Sequence, residues 1–408
     1  MADNTSNSLF SVSEVTIKGF KSIEDLKVPV MSGLNILIGK NGAGKSNFLE
    51  GIDALMSSIY QSNMTNIKAG SILFSTFDNE DAKYELERLN TKNSGNPGDI
   101  GFLNGSYQQK LILKGEVIFD NTSYENREIE FRGQLFKAGD RLWSLIRRLG
   151  IYTFAPVYIP FEYPIDMEGI SVPTVLNIPL NQDEPWGVHN INSTLLLIAF
   201  SKLGESLNNQ EEPEGENNWT DVLEDLTPDR LIAQLELNQN VIDNLRLFTP
   251  IQDIRFNRNI SIYKNDTHLI ADNIRLDFLV NDNWLPWSQL SDGTKRLFCI
   301  VTEVTLNKNG LTLLEEPELG VHPHQFYLIM QFLKEQSEDQ QIIISTHSPK
   351  ALDILEPDEL NRIMIARYEK GKGTKILRMT EEQKEKAVAY MGEVGYLSDY
   401  WLMSDLEE

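Results

Sequence analysis

The chain contains 408 residues, of which 60 are acidic and 37 are basic, so its formal net charge at pH 7 is −23. The apolar fraction of 41% is typical of globular proteins and excludes disorder of the whole chain. The single cysteine, Cys299, excludes an internal disulfide framework and fits a reducing compartment. No segment approaches the ~18 apolar residues of a membrane helix, and the amino terminus lacks an export signal, so we expect a cytoplasmic protein that does not bind membranes.

The predicted elements of the amino-terminal part are two strands, a loop and a helix. Residues 12–20 and 34–39 have the density of β-branched and apolar residues that is typical of strands. Apolar residues after the loop recur at spacings of three and four, which predicts an amphipathic helix. They are Phe48, Leu49, Ile52, Leu55, Met56 and Ile59. Further along, 81–89 is interpreted as helical, 90–99 as a loop, and the segments 109–121 and 127–136 as strands or hairpins.

In the middle of the chain, residues 191–207 and 231–248 have a period near 3.6 and are predicted to be helical. The stretch between them, 208–219, is polar and acidic, and we interpret it as an exposed loop. Strands are predicted to resume near 259–265 and 275–282.

The region after residue 290 is predicted to alternate between helix and strand. A helix at 297–306, a buried strand at 311–316, a helix at 324–336 and a buried strand at 341–346 predict a parallel sheet, with its ligand at the carboxyl ends of the strands. A hairpin at 362–379 and a short helical tail follow.

The strongest functional motif is the glycine-rich loop between the second strand and the amphipathic helix. The glycines let backbone N–H groups approach phosphate oxygens, Lys45 is suited to neutralise the β- and γ-phosphates, and Ser46 is suited to bind Mg²⁺. The loop fits the pattern G-x-x-x-x-G-K-S over Gly39, Lys40, Asn41, Gly42, Ala43, Gly44, Lys45 and Ser46.

Two adjacent carboxylates follow the buried strand that begins at Leu311. Glu315 is placed to complete the Mg²⁺ shell, and Glu316 is placed to polarise a water for attack on the γ-phosphorus. The same residues also fit a solvated, glutamate-rich turn. Their position downstream of a phosphate-binding loop favours the catalytic interpretation.

Two further segments carry candidate phosphate contacts. Ser291 and Gly293 precede a predicted helix and offer a hydroxyl and an N–H group to an anion, although Ser-Asp-Gly is also an ordinary turn and helix cap. His347 follows the strand at 341–346, where its side chain is placed to reach a γ-phosphate or its attacking water. The alternative is a polar residue that forms only local hydrogen bonds.

In this order and spacing, the four motifs resemble those of the ABC-type ATPases, in the branch of the SMC, RecF and OLD-like proteins. The resemblance covers residues 11–60 and 285–400 and includes Phe20-Lys21-Ser22 ahead of the loop and Asn47 directly after it. In this branch, Lys21 and Ser22 would lie near the nucleotide. The segment 390–408 resembles the end of stand-alone AAA-family ATPases, such as the ATPase subunits of Septu, PARIS and retron-associated antiphage systems.

The resemblance implies an α/β fold, namely an ABC-type ATPase head. Such a head has a mixed or parallel sheet with helices and an antiparallel β subdomain near the amino terminus, here with a helical insertion in the middle. We expect an amino-terminal ATPase lobe at 1–190, a helical insertion with an acidic loop at 191–255, and a carboxyl-terminal ATPase lobe at 256–408.

The resemblance also implies roles for the motif residues. The loop and Asn47 would bind ATP, Ser46 and Glu315 would hold Mg²⁺, Glu316 would be the general base and His347 would sense the γ-phosphate.

Residues 290–296 resemble the signature motif of the family, and this signature segment implies a partner. Ser291 and Gly293 would contact the γ-phosphate of ATP bound to a second subunit, so ATP would hold together a homodimer or a higher homo-oligomer.

Two positions depart from the pattern of the family, and the glutamine of its Q-loop has no clear counterpart. Glu315 stands where aspartate is usual, and Asp292 adds a charge to the signature. A Q-loop glutamine is not evident; Gln108 and Gln109 are candidates.

Other features favour structural interpretations. His322 and His324 lack acidic or cysteine partners at ligand spacing, so we expect this segment to cap the next helix instead of binding zinc. Trp284 and Trp287 favour core positions. The basic run at 127–148 favours a solvated helix face over a DNA-binding patch.

Three functional classes compete. The first is an ATPase switch of an antiphage defence operon that controls a separate effector, a nuclease or a toxin; the second is a RecF-like ATPase of DNA repair or maintenance that binds DNA. The third, a transporter subunit, is disfavoured because 246 positions separate Lys45 from Ser291. The 61 residues after His347 are too few for an OLD-type nuclease domain, and no heptad run fits an SMC coiled coil.

Overall fold

The computed structural model describes a defined part of the chain, and the structure reported below is that of these residues. They are 10–59, 66–76, 80–89, 107–122, 128–131, 134–137, 142–148, 156–160, 170, 173–181, 187–189, 194–208, 226–404 and 406. The chain divides into two compact units. The first unit comprises Met1–Phe161, Asn307–Leu319 and Leu333–Glu408, and the second comprises Glu162–Leu306 and Gly320–Phe332. The three-part division expected from the sequence stays a prediction.

The helices and strands are numbered in chain order. The helices are α1 (Lys45–Ser57), α2 (Leu142–Arg148), α3 (Thr194–Asn208), α4 (Pro228–Gln234), α5 (Gln239–Phe248), α6 (Asp292–Leu306), α7 (Pro323–Gln336), α8 (Glu381–Glu393) and α9 (Leu397–Met403). The strands of the first unit are β1 (Ser11–Phe20), β2 (Ile23–Pro29), β3 (Leu34–Ile38), β4 (Ala69–Ser75), β5 (Asp81–Arg88), β6 (Tyr107–Leu113), β7 (Glu116–Asp120), β8 (Glu128–Phe131), β9 (Gln134–Lys137), β10 (Val157–Ile159), β18 (Leu311–Glu315), β19 (Gln341–Thr346), β20 (Ile363–Glu369) and β21 (Gly373–Leu377). Those of the second unit are β11 (Thr174–Pro179), β12 (Gly187–His189), β13 (Ile251–Phe256), β14 (Ser261–Lys264), β15 (His268–Ile274), β16 (Leu276–Val280) and β17 (Asn283–Pro286).

A largely parallel sheet of the first unit carries the ends of the motif strands. Its order is β10-β18-β19-β3-β20-β21, and only the β20–β21 pair is antiparallel. Every residue of β3, β18 and β19 is buried, as in a sheet that is covered on both faces. The predicted parallel sheet is therefore confirmed, and the carboxyl ends of these three strands lie at one edge.

A second sheet of the first unit is antiparallel, in the order β2-β1-β4-β5-β6-β7. The interpretation of residues 81–89 as helical is wrong, because Asp81–Arg88 forms β5 in the middle of this sheet. Its residues alternate between buried and more exposed positions, with Ala82, Tyr84 and Leu86 on the buried face. Pairing on both sides and burial of this face outweigh the helix propensity of its Ala, Glu and Leu residues.

Helix α1 packs between the two sheets of the first unit. Contacts join it to β1 and β4 of the antiparallel sheet and to β18 and β19 of the parallel sheet. The apolar face predicted from the sequence is buried over its whole length. Burial of each such side chain contributes about 1.5–3 kcal/mol, so this face fixes the helix firmly behind the glycine-rich loop.

The second unit contains two smaller antiparallel sheets, of order β12-β11-β15-β14 and β13-β16-β17. The predicted helix at 231–248 is two helices, α4 and α5, because the chain becomes extended at Leu235. The Asn238 side chain then accepts a hydrogen bond from the N–H of Val241 and caps a new helix. The predicted helix at 191–207 is confirmed by α3.

Some expectations fall on residues outside the described ranges. These are the loop at 90–99, the acidic loop beyond Asn208, and residues 127, 132–133 and 138–141 of the basic run. The pairing of β8 with β9 confirms the hairpin expected at 127–136. Across the described ranges, every helix is too short or too polar to serve as a transmembrane segment.

Candidate functional site

The glycine-rich loop joins β3 to α1 in the first unit. Gly42 and Gly44 adopt positive φ angles of 78° and 92°, which residues with a side chain rarely adopt. Gly44 is the N-cap of α1 and provides no side-chain cap. The first N–H groups of a helix have no partner within the helix, so this uncapped turn suits the oxygens of a phosphate.

The Lys45 side chain folds back over the loop. Its Nζ donates hydrogen bonds to the carbonyl oxygens of Gly39, at 2.7 Å, and Lys40, at 3.3 Å. The residue is only 6% exposed. A buried ammonium group inside the curve of the loop provides the positive charge that a bound phosphate requires.

A small polar network braces the carboxyl-terminal end of the loop. Asn47 Nδ2 donates to Ser22 Oγ at 2.6 Å, and Ser22 Oγ lies 2.7 Å from Thr374 Oγ1. An added Cβ at Gly44 would come closer than 3.0 Å to the Thr374 side chain. Ser22 thus lies beside the loop, as the resemblance implied, and Lys21 is paired with Glu50 on α1.

Glu315 ends β18 and is almost fully buried. The Tyr158 hydroxyl, on the neighbouring strand β10, donates a hydrogen bond to Glu315 Oε1 at 3.0 Å. Burial, and next the Glu315 carboxylate, raise the pKa of Tyr158, so the phenol remains a donor. Tyr158 could not be predicted from the sequence, because it belongs to none of the four motifs.

Glu316 and His347 meet at the carboxyl ends of β18 and β19. The imidazole Nε2 of His347 lies 3.3 Å from Glu316 Oε2. Glu316 has a positive φ of 43°, and its N–H donates to the Ser345 carbonyl at 2.7 Å. Strained backbone of this kind is common at functional sites, where it directs a side chain away from the path of its strand. The structure therefore brings together two residues that lie 31 positions apart.

The signature segment belongs to the second unit, where Ser291 caps α6. Ser291 Oγ accepts a hydrogen bond from the Thr294 N–H at 3.2 Å and lies 2.8 Å from Thr294 Oγ1. A Cβ at Gly293 would come closer than 3.0 Å to the Gly320 carbonyl oxygen, so no larger residue fits there without a shift. The helix cap that was one interpretation of Ser-Asp-Gly is therefore present, and the segment lies at the start of α6.

Protein-family models match both parts of the chain that carry motifs. Residues 11–168 match the family model "AAA ATPase domain". Residues 257–353 match the model "AAA domain, putative AbiEii toxin, Type IV TA system". Together the two matches cover more than half of the chain and include all four motifs. Both parts of the chain that carry motifs are therefore similar to AAA-family ATPase domains, which agrees with the resemblance of the sequence to SMC/RecF-like ABC-type ATPases.

Curated relatives match short segments of this chain. The DNA double-strand break repair Rad50 ATPase of Pyrococcus abyssi is 32% identical over 95 residues, which are 20% of this chain and 10% of that protein. The chromosome partition protein Smc of Methanococcus voltae is 41% identical over 44 residues, which are 11% of this chain and 4% of that protein. The chain therefore spans only a small fraction of the length of these relatives.

Solved structures similar to this chain include SMC head domains. The Smc head domain of Pyrococcus furiosus bound to the C-terminal domain of ScpA matches with a TM-score of 0.49 and 12% identity, over 94% of this chain and 100% of that chain. An SMC head bound to the C-winged helix domain of ScpA matches with a TM-score of 0.48 and 13% identity, over 92% and 99%.

Several other residues that the sequence singled out have structural roles. Gln109 Nε2 donates to the Ser58 carbonyl beyond the end of α1, about 20 Å along that helix from the loop. Gln108 binds Asp120 within the antiparallel sheet, so neither glutamine lies at the loop. Trp287 packs against aromatic side chains in the core of the second unit, as expected. The Arg255 guanidinium lies over the ring of Trp284.

The histidines at the start of α7 form a local cap. His322 Nδ1 accepts a hydrogen bond from the His324 N–H at 3.3 Å, in line with the expected cap. Within the described ranges, no group of three His, Cys, Asp or Glu side chains is arranged to hold a metal ion.

Proposed function

We propose that this protein binds ATP with Mg²⁺ in the glycine-rich loop and hydrolyses it. Backbone N–H groups of residues 39–47 bind the phosphates, and Lys45 pairs with the β- and γ-phosphates. Ser46 and Glu315 hold the Mg²⁺ ion. Two protein ligands suffice, because Mg²⁺ at nucleotide sites takes its other ligands from phosphates and water. When bound, Mg²⁺ offsets the negative charge that develops on the phosphate oxygens.

Glu316 acts as the general base and accepts a proton from the attacking water. His347 orients the Glu316 carboxylate and contacts the γ-phosphate. The observation that carries this proposal is the contact of 3.3 Å between His347 Nε2 and Glu316 Oε2 at the edge where β3 also ends. A carboxylate and an imidazole at the carboxyl ends of parallel strands, beside a phosphate-binding loop, form the arrangement that this reaction needs.

Two copies of the chain close each ATP site. Ser291 and Gly293 of one copy contact the γ-phosphate that is bound in the loop of the other copy. The start of α6 presents an exposed serine hydroxyl and a glycine N–H at a helix amino terminus, which supports this role. ATP then stabilises the dimer by mass action, and hydrolysis releases it.

The ATP-dependent dimer controls a separate effector, a nuclease or toxin from the same operon, in antiphage defence in the cytoplasm. The support is the match of residues 257–353 to a family model described as a putative toxin of a type IV toxin–antitoxin system. A second candidate is an ATPase of DNA repair or maintenance that binds DNA, which the similarity to the Rad50 ATPase supports.

The experiment that tests the proposed reaction is Glu316→Gln. The variant retains the shape of the side chain but not its basicity, so we expect ATP affinity to persist while kcat falls by about 10²–10⁴-fold. Glu335→Gln, an exposed position on α7, is the matched control and should keep the wild-type rate. Wild-type turnover by Glu316→Gln would show that the base lies elsewhere.

The two biological roles are separated by a different experiment. Copurification of the protein from cells that express its whole operon should capture an effector chain. Stimulation of ATP hydrolysis by double-stranded DNA, with no captured chain, would favour the second candidate.

A further inference from the structure

Glu318 has no role in the reaction as proposed above. It lies two residues after Glu316, in a turn closed by a hydrogen bond from the Leu319 N–H to the Glu316 carbonyl. Its side chain leaves this turn toward the end of β19. Glu318 is thus on the same loop as the proposed general base but makes its contacts with the loop that carries His347.

One oxygen of Glu318 accepts two hydrogen bonds from that second loop. Glu318 Oε1 lies 2.6 Å from Thr346 Oγ1, which donates to it, and 3.1 Å from the N–H of His347. Thr346 is fully buried, and its hydroxyl also accepts from the Ser348 N–H at 2.9 Å. Glu318 Oε1 therefore holds the His347 N–H directly and is linked to the Ser348 N–H through the Thr346 hydroxyl.

These bonds lie next to the contact between the imidazole and the base. The Glu316 N–H is held by the Ser345 carbonyl, and the His347 N–H is held by Glu318. The Glu316–His347 side-chain contact closes the same ring of interactions. Because its N–H is held, the His347 backbone has less conformational freedom. Less entropy is then lost when the imidazole ring takes one fixed position.

Stability alone does not account for this arrangement. The other oxygen, Glu318 Oε2, is buried and has no hydrogen-bond partner among the described residues. A buried polar atom without a partner costs free energy. Such a cost is typical of residues that serve the geometry of a site.

We propose that Glu318 is a positioning residue for ATP hydrolysis, which holds the His347 backbone where the imidazole reaches both Glu316 and the γ-phosphate. This inference rests on the proposed role of Glu316 and His347. Glu318 does not touch the nucleotide or the attacking water. Its effect on the reaction passes through His347.

The test compares Glu318→Ala with Glu318→Gln. Alanine removes both hydrogen bonds, so we expect kcat to fall about tenfold to a hundredfold with ATP affinity changed by less than about twofold. Glutamine retains an acceptor oxygen and should restore most of the rate. Glu359→Ala is the matched control, because Glu359 is also half-buried and accepts from a backbone N–H and a side chain, at a different place in the first unit. It should keep the wild-type kcat.

A second comparison asks whether Glu318 acts through His347. In the His347→Ala background, Glu318→Ala should lower kcat by no more than about twofold, since the ring it positions is gone. An equal loss in both backgrounds would overturn the proposal. If Glu318→Ala does not fold, Thr346→Val removes one of the two hydrogen bonds that Glu318 accepts and should reproduce part of the loss of kcat.

The outcomes separate this inference from the proposed function. If the wild-type protein hydrolyses ATP and both Glu318→Ala and Thr346→Val match its kcat, the positioning role is wrong and the proposed reaction stands. If the wild-type protein binds ATP without hydrolysing it, the proposed function fails and the positioning role fails with it.

Discussion

The close approach of Thr374 to the glycine-rich loop gives a quantitative test of the structure. Gly44 has a φ of 92°, and an added Cβ would lie closer than 3.0 Å to the Thr374 hydroxyl. Gly42 has a similar φ of 78°, but an added Cβ there would meet no atom within 4 Å. The two glycines therefore form a matched pair that differs in crowding.

The expected losses of unfolding free energy follow from the positive φ angle of each glycine and from the crowding at Gly44. Alanine in a left-handed conformation costs about 1–2 kcal/mol, which applies to both Gly42→Ala and Gly44→Ala. Forced contact in a packed region adds about 1–3 kcal/mol, which applies only to Gly44→Ala. We therefore expect a loss of about 1–2 kcal/mol for Gly42→Ala and about 2–5 kcal/mol for Gly44→Ala, measured by urea unfolding without nucleotide.

Removal of the crowding atoms should recover part of the loss. Thr374→Ala deletes both side-chain atoms that an alanine at position 44 would meet within this residue. Gly44→Ala should therefore cost less in the Thr374→Ala background than in the wild type, by about 1–3 kcal/mol. Equal losses for Gly42→Ala and Gly44→Ala, or no recovery with Thr374→Ala, would refute the packing described here.

Two other substitutions test buried polar groups. Tyr158→Phe removes the hydrogen bond to the buried Glu315 carboxylate, so the unfolding free energy should fall by about 1–3 kcal/mol; no change in urea unfolding would contradict that bond. Glu303 accepts a hydrogen bond from the Thr194 hydroxyl, and burial raises its pKa above the ordinary value of 4.5. The folded state therefore prefers the protonated acid, and it loses stability as the pH rises above 4.5. Glu303→Gln should therefore raise the unfolding free energy at neutral pH but not below pH 4.5. An equal change in unfolding free energy at neutral and at acidic pH would contradict the raised pKa of Glu303.

The parts of the fold that the sequence predicts well are those with a local signal. A buried strand, a glycine-rich loop and an amphipathic helix follow one another within residues 34–57, and each has a period or composition of its own. The strands that lead to Glu315 and His347 have cores of consecutive Leu and Ile residues, which favours burial in a parallel sheet.

The parts that the sequence did not predict depend on distant partners. Residues 81–88 have the composition of a helix and become a strand because β4 and β6 pair with them on both sides. The hydrogen bond of Tyr158 to Glu315 joins residues 157 positions apart, and that of Glu318 to Thr346 joins residues 28 positions apart. No local pattern contains such contacts, so they emerge only from the folded chain.

Complementation between two inactive variants tests the shared ATP site most directly. Lys45→Ala removes the phosphate lysine of one site, and Ser291→Arg blocks the turn that completes the site of a partner. Alone, each variant should lack ATP hydrolysis. In an equal mixture, half of the dimers are mixed and each contains one intact site of two, so ATP hydrolysis should return to at most about one quarter of the wild-type rate. A mixture of folded variants that stays inactive, or full activity of Ser291→Arg alone, would contradict a site built from two copies.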